Sequence, residues 1–176
     1  MPSTDIALLA SDGGRVELPR PVAAQASLLL RDMLDDATAS SLGSGGDDGG
    51  AESSTMIEIP VDVVDTVTLE RCATHMRYRY NNKMTELARP LKGNLEDALD
   101  AKDKEFLSDW DETITVSMVK ASAFLNCPEL YQLSCAKLAS LLMGKSIEEI
   151  RVTLGVQNDF SPEEEAALRK EHGMEL

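Results

Sequence analysis

Aromatic residues are scarce in this chain. They make up 4% of its 176 residues, so the 43% apolar share has to build a core mainly from Leu, Val, Ile, Ala and Met. Basic residues are short as well: 17 Lys and Arg face 31 Asp and Glu, for a net charge of −14. Such a surface repels phosphate backbones and anionic lipid, so neither nucleic acid nor a membrane is expected as a partner. Basic protein surfaces stay open as partners. No apolar run is long enough to cross a bilayer, and Met1-Pro2-Ser3-Thr4-Asp5 has neither the basic start nor the apolar stretch of a signal peptide. Cysteine is limited to Cys72, Cys127 and Cys135. That odd count suits reduced thiols, and a cytoplasmic and nuclear location is expected.

Chemistry-bearing motifs are missing too. There is no phosphate loop, dinucleotide fingerprint or nucleophile elbow, and the glycines from Gly43 to Gly50 lead into no lysine. Cys72-Ala73-Thr74-His75 has the spacing of half a metal site, but a structural zinc site takes about four ligands. Cys127 and Cys135 lie eight apart and His172 stands alone, so a helical Cys and a surface His explain these residues better. Asp47-Asp48 falls in a linker. Glu163-Glu164-Glu165 falls in a first helical turn, where the helix dipole favours acids. Arg77-Tyr78-Arg79-Tyr80 is the one basic–aromatic cluster and reads as a helix end with local ion pairs. No catalytic residue, cofactor or metal is expected, and the chain does not read as an enzyme.

What is present is pattern. Ile6, Leu8 and Ala10 alternate as a strand, Ser11-Asp12-Gly13-Gly14 marks a turn, and Val16 and Leu18 continue the alternation until Pro19 and Pro21 end it. This is a β-hairpin. Val22, Ala26, Leu29, Leu30, Met33 and Leu34 then fit one face of a single helix, with Pro21 in its first turn. An acidic, glycine-rich stretch of about residues 35–55 reads as a disordered loop. Ile57 and Ile59 form a third strand, ended by Pro60. A helix follows from Val61 to about Tyr80, with Val64, Val67, Cys72 and Met76 facing inward. Residues 81–112 read as a second polar connection, variable over about 81–104 and anchored by Phe106, Leu107 and Trp110.

Beyond Thr113 the chain is helical with clear punctuation. Ile114, Val116, Met118, Val119, Ala123, Phe124 and Leu125 mark one helix, and Asn126-Cys127-Pro128 marks a break and restart. Leu130, Leu133, Leu138, Leu141 and Leu142 line the next helix, which Gly144 stops. Ser146 with Glu149 and Ser161-Pro162 with Glu164 are capping-box patterns opening two further helices. Strands first and helices after give an α+β layout. The last helices carry thin apolar stripes. Either they fold back to complete the core, or they leave a groove for a partner's helix.

The residues of this tail resemble a known family. Phe124-Leu125-Asn126 with Leu130, then Gly144 to Arg151, then Asn158 to Glu165, then Arg169-Lys170-Glu171 are similar in order and spacing to the adaptor subunits of SCF ubiquitin ligases, the family of S-phase kinase-associated protein 1. The N-terminal half follows the BTB/POZ order more loosely. Elongin C shares that half but lacks the C-terminal helices.

The resemblance implies a BTB/POZ fold of short N-terminal strands and helices over residues 1–126 and a helical F-box-binding extension over 127–176. It implies an adaptor that bridges a cullin to F-box substrate receptors in ubiquitin-dependent degradation, with self-association as a further BTB property. The F-box contact would use Leu133, Leu138, Leu141, Leu142, Ile147, Ile150, Leu154, Val156, Phe160 and Met174. The cullin contact would use Ala123, Phe124, Ile59 and Pro60. Five positions depart from the family pattern. Ala123-Phe124 replaces Asn-Tyr, Ile147 replaces Pro, Leu154 replaces Phe, and Met174 stands at the place of a terminal Trp. These departures mark a divergent member and raise an alternative, a cullin-independent structural partner of F-box-like proteins. Pro162 stands where some protist members carry a hydroxylated, glycosylated proline, although its place at the first position of a helix accounts for it fully.

Overall fold

The computed structural model describes residues 5–42, 56–84, 87 and 93–173. The hairpin forms as expected. Strands β1 (Asp5–Ala10) and β2 (Arg15–Pro19) pair antiparallel, with Ile6 opposite Leu18 and Leu8 opposite Val16. The turn does more than reverse the chain. The Asp12 carboxylate accepts hydrogen bonds from the Thr66 N–H and hydroxyl, and a Cβ at Gly14 would fall 1.7 Å from the Thr66 hydroxyl oxygen. Only glycine allows that approach.

The expected single helix is two. Helix α1 (Arg20–Ala26) ends at Ser27, which is extended, and α2 (Leu28–Leu42) starts afresh. Ser27 is buried. Its hydroxyl accepts the Leu30 N–H at 3.0 Å and donates to the Leu125 carbonyl, while the Leu28 N–H reaches the Asn126 carbonyl at 3.0 Å. The break is thus an anchor to a distant loop. Helix α2 runs through Leu42, past the expected start of the linker, and residues 43–55 lie outside the described residues.

Strand β3 (Ile57–Val61) pairs parallel with β1, giving the sheet order β2-β1-β3. It continues through Pro60 instead of ending there. β3 is an edge strand, where a missing N–H is tolerated. In α3 (Thr66–Asn81), capped by the Asp65 carboxylate on the Thr68 N–H at 2.8 Å, the buried residues include Leu69, Cys72, Ala73 and Met76. Val67, expected inside, is exposed, because burial follows the stripe set by Leu69 and Ala73.

The polar connection is partly helical, which corrects the expectation of a plain loop. Helices α4 (Leu95–Ala98) and α5 (Ala101–Leu107) form because Leu95, Leu99 and Leu107 reach the core and Asp100 caps the Asp103 N–H at 2.8 Å. Asp103 is itself buried and accepts a hydrogen bond from Arg79 of α3. Burial pushes its carboxyl up, and the Arg79 hydrogen bond pulls the other way. Trp110 packs edge-on against Phe106 at 5.2 Å, and Phe106 lies 5.4 Å from His75.

Helix α6 (Glu112–Phe124) leads through Asn126, at φ 49°, into α7 (Pro128–Leu142). Helices α8 (Ile147–Leu154) and α9 (Pro162–Glu171) complete the α+β architecture. The chain divides into two compact units, Met1–Leu141 and Leu142–Leu176. Among the described residues, no helix is long and apolar enough to cross a membrane.

Candidate functional site: the C-terminal helices

The second unit is held by local chemistry. The Ser146 hydroxyl accepts the Glu149 N–H at 3.2 Å while the Glu149 carboxylate accepts the Ser146 N–H at 2.8 Å. Ser161 and Glu164 repeat this at 3.3 and 2.9 Å. Both capping boxes therefore form as their spacing predicts. Gly155 closes α8 in the left-handed region, and Pro162 is exposed at the start of α9. Glu165 ties the two helices together. It lies 3.3 Å from Arg151 and 3.1 Å from Arg169, and accepts from the Asn158 amide at 3.2 Å. The Arg169 and Asn158 hydrogen bonds lower its carboxyl below the usual range.

This polar frame leaves its apolar side chains uncovered. Neither α8 nor α9 buries a residue. Phe160 is 47% exposed, and Ile147, Leu154 and Val156 are also exposed, while Ile150 is half-buried. Val152 at 82% and Met143 at 63% were missed by the sequence reading. Val152 falls off the apolar stripe of its helix and Met143 follows the last helical turn, so periodicity gave no signal for either. A hollow of about 130 Å³, lined by Ile147, Arg151, Phe160, Glu165, Leu168, Arg169 and His172, is of a size to receive one side chain. Met174 lies outside the described residues.

In the first unit, Leu138 and Leu141 of α7 are half-buried, as is Leu142 at the start of the second. Leu133 is different. It is 0% exposed and belongs to the hydrophobic core, so it cannot meet a partner. Ile59 is corrected for the same reason: it lies opposite Leu8 in the sheet and is buried, whereas its neighbour Pro60 is exposed. Ala123 and Phe124, at the end of α6, are both exposed, Phe124 by 43%.

The cysteine–histidine pair has a structural setting. Cys72 and His75 are buried on α3. Burial raises the Cys72 thiol far above its ordinary range, lifts the Cys127 thiol to about 12, and lowers His75 to about 3. Among the described residues, no group of three or more His, Cys, Asp or Glu could hold a metal ion.

A small α+β domain carrying a helical tail with its apolar side chains uncovered is built as a protein-binding module. The model of the Skp1 family, dimerisation domain, matches residues 128–174, the stretch from α7 through α9. The chain is 31% identical to SKP1-like protein 12 of Arabidopsis thaliana over 98% of its own length and 97% of the relative's. It is 30% identical to the E3 ubiquitin ligase complex SCF subunit sconC of Aspergillus clavatus, over 97% and 96%. It is 29% identical to an S-phase kinase-associated protein 1 homolog of Tetrahymena thermophila, over 97% and 93%. The chain belongs to the Skp1 family.

Proposed function

We infer that this protein is the adaptor subunit of an SCF-type cullin-RING E3 ubiquitin ligase. The observation that carries the reading is the tail: two helices that bury nothing, with Ile147 and Leu154 exposed on α8 and Val156 and Phe160 exposed in the segment that follows it. Covering such side chains with the helices of an F-box gives roughly 25 cal/mol per Å² before the costs of association. The half-buried Leu138 and Leu141 of the first unit, and Leu142 and Ile150 of the second, are assigned to the same partner. Ala123, Phe124 and Pro60 serve a cullin. Relatives named as SCF ligase subunits support the assignment. The role is bridging and not catalytic, and the buried, unreactive Cys72 is in keeping with that. On this reading the protein works in the cytoplasm and nucleus.

A tagged chain should co-purify F-box proteins together with a cullin. Absence of every F-box protein from the captured set refutes the adaptor role. One observation favours a second reading. The exposed Ala123 offers only a methyl group where the family pattern has a polar side chain. A cullin-independent partner of F-box-like proteins would follow if purified cullin fails to bind while an F-box fragment binds tightly.

A further inference from the structure

A hollow of about 230 Å³ lies between α1, α3 and the start of α7, wholly within the first unit. Its apolar walls are Val22, Met76 and Leu130. Its mouth is open, because Gln25, Tyr80, Pro128 and Glu129 of the same lining are exposed. A cavity for a small molecule, unlike a docking face, is walled by buried side chains, so their burial shapes the site and does not close it.

Two of the lining residues carry unpaired atoms. His75 and Arg79 stand one helical turn apart on α3 and are only 4% and 6% exposed. The His75 Nε2 and the Arg79 Nε are shut off from solvent and have no hydrogen-bond partner among the described residues. His75 also borders a second hollow beside Phe106, but Arg79 does not, so the two unpaired residues share only the first. A buried polar atom left unpaired costs free energy that a guest of the right chemistry recovers.

Charge and hydrogen-bond polarity narrow the guest. The Arg79 guanidinium is already matched by Asp103 and by Asp100 at 3.5 Å. Burial keeps His75 neutral near pH 7, and Glu129 at the mouth repels anions. The guest is therefore uncharged. The Arg79 Nε–H only donates and needs an acceptor, while a neutral His75 protonated at Nδ1 offers Nε2 to a donor. A primary carboxamide carries acceptor and donor on one carbon. A dry cavity of about 150 Å³ takes benzene, so this one has room for a ring and such a group. We propose that the hollow is a binding site for a small, neutral, ring-bearing carboxamide.

The test uses the full chain and three probes of similar shape: benzamide, benzoate and toluene. Titration of isotope-labelled protein by NMR reads Kd together with the Arg79 Nε–H and His75 ring resonances. Benzamide should bind roughly tenfold tighter than toluene, as two net hydrogen bonds would, and should shift both resonances. Benzoate should bind no tighter than toluene. Ala26→Leu adds bulk at a half-buried wall and should abolish benzamide binding, with urea unfolding to confirm that the variant is folded. Benzamide that binds no tighter than toluene or benzoate, or that leaves the Arg79 Nε–H unmoved, overturns the proposal whatever the variant does. So does benzamide binding that survives in folded Ala26→Leu, or no binding at millimolar concentration.

Discussion

His75 sits in the core of α3 with its ring against Phe106, and its Nε2 atom has no hydrogen-bond partner among the described residues. Burial, helped by the nearby positive charge of Arg79, lowers its pKa from 6.5 to about 3. The sign of the consequence follows. Between those values the unfolded chain binds a proton that the folded chain refuses. The neutral ring's share of stability is therefore complete above the unfolded pKa and is lost as pH falls through the window. The loss from this one group approaches about 1.4 kcal/mol per pH unit. His75→Phe keeps a ring on Phe106 and removes the proton. Urea unfolding between about pH 7 and about pH 4 should give a shallower decline in the variant. Matching declines in the two proteins would show that His75 is not the group responsible.

At the scale of elements, the joint between α1 and α2 concentrates long-range order in one side chain. Ser27 is 98 residues from Leu125, and its hydroxyl serves both the Leu125 carbonyl and the Leu30 N–H in a dry environment. Ser27→Ala strands both, and a buried unsatisfied group costs about 1–3 kcal/mol. A drop of about 2 kcal/mol in unfolding free energy is expected, with faster amide exchange at Leu28 and Leu30. A variant as stable as the parent would mean the joint is not an anchor. The same joint explains what the sequence hid. The capping boxes at Ser146 and Ser161 were legible because donor and acceptor lie three residues apart. The hairpin was legible for the same local reason, through its turn and its alternation. Ser27 was not, because the partner that breaks the helix comes from far along the chain. Helix α5 was hidden likewise, since the Asp103–Arg79 pair spans 24 residues. In the binding face, periodicity marked Leu133 and Leu154 alike as apolar. Only the fold separates them, since one is covered by the core and the other is not.

For the molecule as a whole, the question is where the folding unit ends. The buried core cluster runs from Ile6 to Leu133, with Ala136 packed at its margin, and contains nothing from α8 or α9. Those helices span 8 and 10 residues, shorter than the roughly 12–15 at which a lone helix becomes stable in water. Their capping boxes and the ion pairs around Glu165 hold them, and ion pairs screened by solvent contribute little to stability. The tail should therefore be the least stable part of the chain while adding little to the rest. Removing residues 142–176 should leave a cooperative melting transition within roughly 2 °C of the full chain's, because no core side chain is lost. F-box binding should disappear in the same protein. In the full chain, amides of α8 and α9 should exchange rapidly when free and slow strongly once an F-box fragment covers Ile147, Leu154 and Phe160, since local opening then requires dissociation. A shortened chain that melts without cooperativity, or tail amides already protected in the free protein, would place these helices inside the folding core and leave no open face for a receptor.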